Sequence, residues 1–215
     1  MKTPPHDPPY SFGEEVANAI THGTGLLVAI GAGAVLLTLV SLSADPWRIV
    51  SAAVYVSTLL LLYTASTLYH AIAHPLAKSR LKVLDHCAIF LMIAGTYTPF
   101  TLVGLRDSWG FTLFGVVWGL ALAGVVFKLY FTGRFKGVST LIFIGMGWLV
   151  LVAIKPMLDA LSLATLGWLL AGGIAYTLGT LFYMAKAWRY SHAIWHGFVL
   201  AGGACHFVAV FLHLV

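Results

Sequence analysis

Seven apolar stretches free of Asp, Glu, Lys and Arg divide the chain: residues 16–44, 49–77, 86–105, 108–127, 137–154, 160–185 and 190–215. Each holds 18 residues or more, and a helix needs about 20 to cross a hydrocarbon core roughly 30 Å thick. Their hydrophobicity is continuous and lacks the alternation of a lipid-facing strand, so the pattern predicts helices rather than a barrel. The expected fold is all-α: one seven-helix transmembrane domain over residues 1–215, opened by a short polar segment of about residues 1–15. Gly115 and Gly119, with Gly31, Gly33, Gly172, Gly173, Gly202 and Gly203, are expected at close helix contacts. Pro99, late in the third stretch, is expected to kink or end its helix.

Composition agrees with a lipid solvent. Sixty per cent of the residues are apolar and 9% are charged, against about 25% charged in soluble domains. Residues 1–10 are Pro-rich and lack an apolar core followed by small residues, so they do not read as a cleaved signal peptide. Cys87 and Cys205 fall in different apolar stretches, as small packing residues rather than a disulfide pair.

The basic residues orient the bundle. Lys2, Lys78, Arg80, Lys82, Lys128, Arg134, Lys136, Lys186 and Arg189 fall on one side, and only Arg48, Arg106 and Lys155 on the other. This asymmetry predicts a cytoplasmic N-terminus and an outer C-terminus. The net charge of +5 then reflects topology and attraction to anionic headgroups, and calls for no nucleic acid.

Polar residues recur at one depth. His70 stands eight residues before Lys78, Asp85 three after Lys82, and His192 and His196 three and seven after Arg189. At 1.5 Å per residue all four lie within roughly 5–12 Å of the same membrane face. His192 and His196 share a helical face, as do Ser66 and His70. Two imidazoles four residues apart can grip one metal ion, and His70 would complete three ligands, the arrangement that leaves zinc an open position. Asp85 could then hold and deprotonate water, with Ser66 donating a hydrogen bond nearby. The plainer reading keeps each histidine as an interfacial group wetted by headgroups, and Asp85 as the cap of the third helix. Glu15, Asn18 and His22, with Thr21 beside them, follow a helical period ahead of these residues. They would either orient the ligands or tie the first helix to the bundle. Glu14, His74, His86 and His206 have weaker claims, and His6 and His213 need no role.

The motifs Glu15-x-x-Asn18-x-x-Thr21-His22, Ser66-x-x-x-His70, Asp85 leading to Ala94-Gly95-Thr96-Tyr97-Thr98-Pro99, and Ser191-His192-x-x-x-His196 together resemble the progestin and adipoQ receptor family. The likeness is greatest to its bacterial hemolysin III branch and covers nearly the whole chain. It implies seven helices with the N-terminus inside, in a bacterial inner membrane. It also implies an intramembrane Zn2+ held by His70, His192 and His196, with Asp85 holding water and Ser66 nearby. Alkaline ceramidases belong to the wider superfamily, so the implied chemistry is hydrolysis of a lipid amide.

Three functions follow as expectations. The first is a zinc-dependent hydrolase of an acyl-lipid amide or ester, ceramidase-like, serving membrane lipid homeostasis, with Asp85 and Ser66 catalytic and a membrane lipid as substrate. The second is a zinc-containing receptor or regulator of lipid homeostasis without catalysis. The third, a pore-forming haemolysin, is disfavoured because a pore needs a polar path across the bilayer, whereas these ionisable groups crowd one end.

Overall fold

A computed structural model describes residues 10–107, 109–185 and 188–215; Lys2, His6, Lys186 and the rest of the Pro-rich start lie outside the described residues. Seven helices are long and apolar enough to cross a membrane: α1 (Phe12–Leu42), α2 (Pro46–Ala71), α3 (Pro75–Gly104), α4 (Gly110–Phe131), α5 (Lys136–Ala160), α6 (Leu163–Met184) and α7 (Ser191–Leu214). No strand occurs among the described residues. The helix starts have local causes. Ser11 and Glu14 form a capping box on α1. Asp45 caps α2 ahead of Pro46, which sits where a missing N–H does no harm. Ser162 accepts from Thr165 N at the start of α6.

Helices α1, α3 and α5 begin earlier than the charge-free stretches suggested, because charged residues near the basic end are helical too. The polar start thus ends at Ser11, and Glu14 and Glu15 lie inside α1. Asp85 is no cap: α3 starts ten residues before it, and His74 caps it by accepting from Ala77 N at 3.4 Å.

α1, α2, α3 and α4 pack in sequence, α6 packs on α7, and α7 closes against α1. Glu14 meets Tyr190 at one end, while the Arg48 guanidinium donates to Leu214 O at the other. The first described residues and the C-terminal Val215 therefore lie at opposite ends. The outer surface carries exposed apolar side chains such as Leu27, Leu42, Leu141, Leu163 and Leu181, as a lipid-facing wall requires.

Two irregular turns shape the interior. Pro99 is helical but is followed by a π-turn over Phe100–Gly104. In α5 the α-helix gives way to a 3-10 turn at Leu149–Ala153. Tyr97 resolves the backbone groups freed there: its O–H is shared between the carbonyls of Met146 and Gly147, and its oxygen accepts from Val150 N, each at 2.9 Å. Irregular backbone at membrane depth needs such protein partners.

The glycines divide. Gly33 abuts Val56, Gly172 abuts His206, and Gly202 and Gly203 abut Tyr176 and Tyr63, at distances a Cβ would violate. Gly173 lies beside Trp148 with room for a Cβ. Gly31, Gly115 and Gly119 have nothing within 4 Å, so the expected contact there is absent among the described residues. Both cysteines are free thiols.

Candidate metal centre

α2 delivers His70 in its last turn, and α7 delivers His192 and His196 in its first two. One ring nitrogen from each lies within 4.8 Å of the others, and the ring centroids are 4.5–5.2 Å apart. His70 and His196 are buried and His192 is half-buried. The Nε2 atoms of His70 and His192 are nevertheless enclosed without a hydrogen-bond partner.

The opposite nitrogens explain this arrangement. His70 Nδ1 donates to Glu15 Oε2 at 2.7 Å, with the Asn18 amide 3.4 Å away. His196 Nδ1 donates to the Asn18 carbonyl at 3.2 Å. Each bond places the proton on Nδ1 and leaves the Nε2 lone pair free, which is how outer partners fix a metal-binding tautomer. Buried imidazole nitrogens facing one another unpaired are costly. A metal ion satisfies them, so these residues fit one.

Asp85, Ser66, Glu15, Asn18 and His22 lie around the trio. Asp85, buried in α3, faces Ser66, His70 and Lys82, and its Oδ2 lies 3.5 Å from His86 Nδ1. Ser66 is fully buried one turn before His70, and its Oγ has no well-formed hydrogen bond. Glu15 also binds the Lys78 ammonium at 2.9 Å. His22 acts by stacking: its ring lies flat on His196, 3.6 Å between centroids, with both nitrogens buried and unpartnered. Thr21 bonds back to Ala17 O.

The weaker candidates find local partners. Glu14 accepts from Tyr190 N at 3.1 Å, His86 Nδ1 donates to Lys82 O at 2.7 Å, and His206 Nε2 donates to Leu169 O at 3.2 Å. His213 stacks on Phe100. Sequence reasoning missed Tyr10, 5.1 Å from His192 between ring centroids, and Lys78 as a partner of Glu15. No motif marks Tyr10. The basic residue two turns after His70 was a readable signal for Lys78.

His192 and His196 open on a cavity of about 430 Å³ between α3, α5, α6 and α7, the size of a small-molecule site. Asp85, His192 and His196 line one end, and Leu105, Leu113 and Met157 the other. Along α3 the lining runs from Asp85 to Leu105, about 30 Å at 1.5 Å per residue. A polar, metal-competent end thus meets a long apolar chamber.

The family described as haemolysin-III related matches residues 10–207. The hemolysin-3 homolog of Bacillus subtilis (strain 168) is 46% identical over 206 residues, 96% of this chain and 97% of that protein. Hemolysin-3 of Bacillus cereus is 45% identical over 202 residues, 94% and 92% of the two chains. The monocyte to macrophage differentiation factor of Homo sapiens is 27% identical over 209 residues, 94% and 84% of the two.

Proposed function

The chain belongs to the haemolysin-III-related family and is a multi-pass protein of the cell membrane, and from that premise we propose that it is a zinc-dependent intramembrane hydrolase of an acyl-lipid amide or ester, serving membrane lipid homeostasis. One observation carries the reading: three clustered imidazoles, two of them with enclosed and unpartnered Nε2 atoms, stand beside a carboxylate at the end of a long apolar cavity that His192, His196 and Asp85 line. Zinc is the proposed metal because three histidines with an open fourth position are its catalytic arrangement. Held by His70, His192 and His196, it would supply Lewis-acid polarisation of the scissile carbonyl and acidify water.

The chain's own residues do the rest. The apolar cavity holds the acyl chain and keeps bulk water from the reaction. Asp85 accepts a proton at its carboxylate as water adds to the carbonyl carbon. It returns that proton to the departing nitrogen or oxygen as the C–N or C–O bond breaks, leaving a carboxylic acid and an amine or alcohol. Ser66 donates its O–H to the developing oxyanion. Glu15 and Asn18 hold the ligand rings in register. A lytic pore, which the relatives' name suggests, has less support, since Leu105, Leu113 and Met157 offer no polar path through the far half.

The test is Asp85→Asn in purified protein, with zinc and hydrolysis of a lipid amide and ester panel measured on one sample. Asparagine keeps the shape but accepts no proton at neutral pH. Zinc content should stay near wild type while turnover falls roughly 10²–10⁴-fold. Equal turnover would remove Asp85 from the mechanism. A zinc-loaded wild type that cleaves nothing in the panel would replace the hydrolase by the non-catalytic regulator.

A further inference from the structure

Partway down the chamber the apolar wall is broken by two polar side chains that the proposed hydrolysis does not use. Tyr176, in the middle of α6, and His206, on α7, both line the cavity. His206 stands ten residues beyond His196, about 15 Å deeper along the helix. Tyr176 stands seven residues before Tyr183, whose ring lies 6.3 Å from that of His192. The Tyr176 and His206 rings are 5.3 Å apart between centroids and tilted by 53°. Glycines on the facing helices make room for them. A Cβ on Gly172 would stand 2.2 Å from the His206 ring, and one on Gly202 would stand 2.7 Å from the Tyr176 ring.

Each of these side chains keeps a polar atom without a partner. His206 Nε2 donates to Leu169 O at 3.2 Å. That leaves Nδ1 as a bare acceptor, enclosed and with no hydrogen bond among the described residues. The Tyr176 hydroxyl also makes no hydrogen bond among the described residues, although Tyr63 Oη lies against the same glycine, Gly203. The threonines of the wall behave differently: Thr96, Thr101, Thr177 and Thr180 each donate to a carbonyl of their own helix. An unpaired polar atom at membrane depth is costly, and an ionisable side chain held there is a functional candidate. The needs of the pair are complementary, since the phenol offers an O–H and the imidazole a lone pair. One hydroxyl satisfies both by accepting from Tyr176 and donating to His206, whereas a carbonyl oxygen satisfies the tyrosine alone.

We propose that Tyr176 and His206 bind a hydroxyl carried partway along the lipid chain that fills the chamber, so that the protein selects acyl lipids hydroxylated in mid-chain. The presence of an acyl chain in the cavity rests on the hydrolase reading given above; the match of one hydroxyl to the two side chains does not. A water molecule offers the same donor and acceptor without the chain.

The experiment offers the full-length protein, in nanodiscs, equimolar stearate, mid-chain hydroxystearate and the terminally hydroxylated isomer, and reads the retained chain by native mass spectrometry. Wild type should retain the mid-chain isomer about fivefold over stearate, the worth of one net hydrogen bond. Tyr176→Phe removes only the hydroxyl and should abolish that preference while stearate is retained as in wild type. Should that variant misfold, the isomer series in wild type carries the test by itself, because equal retention of the mid-chain and terminal isomers would overturn a fixed subsite. Stearate retained as well as the mid-chain isomer would leave the two side chains to a bound water and overturn the proposal. An undiminished preference in folded Tyr176→Phe would overturn the assignment to these residues. Zinc content and hydrolysis of the matching N-acyl amides are measured on the same samples. Amide cleavage without any hydroxyl preference marks failure here, and the preference without cleavage marks failure of the hydrolase reading.

Discussion

Glu15 matters to the candidate centre nearly as much as the histidines, although it can touch no metal. Its carboxylate sits between the His70 ring and the Lys78 ammonium, so it fixes a tautomer on α2 and ties α1 to the start of α3. Glu15→Gln keeps the shape and loses the charge that holds the proton on Nδ1. Outer partners of this kind are worth about 10–100-fold in metal affinity. Zinc affinity, read by competition with a chelator, should fall by that factor, while Glu14→Gln, one residue away with its partners at Ser11 and Tyr190, should leave it near wild type. Equal affinities for all three proteins would show that Glu15 only anchors the helix. The role was half legible in sequence: period placed Glu15, Asn18 and His22 on one face, but which ring each would meet depends on how α1 leans on α2 and α7.

Among elements, α4 shows how small residues mislead. Gly115 and Gly119 have the spacing of a helix-contact pair yet touch nothing within 4 Å, whereas Gly124 would place a Cβ 2.3 Å from the ring of the fully buried Phe90. Gly124→Ala should therefore force α3 and α4 apart and destabilise by about 1–3 kcal/mol. Gly115→Ala and Gly119→Ala should be neutral or slightly stabilising, since alanine is the better helix former. Thermal unfolding in one detergent checks all three, and an equal loss at Gly115 and Gly124 would contradict this packing. Spacing marks where a helix can approach another; which side it turns inward depends on the neighbours.

For the whole molecule, the charge pattern and the bundle give one orientation to test. Seven of the nine basic residues on the richer side are described, and they cluster around the end where α1, α3, α5 and α7 begin. Lys2 and Lys186, outside the described residues, belong to that side by sequence. The N-terminus is therefore proposed to be cytoplasmic and the C-terminus outside. A reporter fused after Val215 should be active outside, and one inserted near Ser79 inside. Both reporters on one side would rule out seven crossings in this order.

Hydropathy, charge and helical spacing determined the class, the number of spans and the small set of polar residues worth watching. These are local or additive properties, set by chain length against membrane thickness and by 3.6 residues per turn. Tertiary structure decided what those properties leave open. It turned Gly115 and Gly119 outward, carried Asp85 into the interior of α3, and set the Tyr97 hydroxyl against the backbone of the irregular turn in α5. Such outcomes depend on the rotation and tilt of each helix against its neighbours, which arise from packing across residues far apart in the chain.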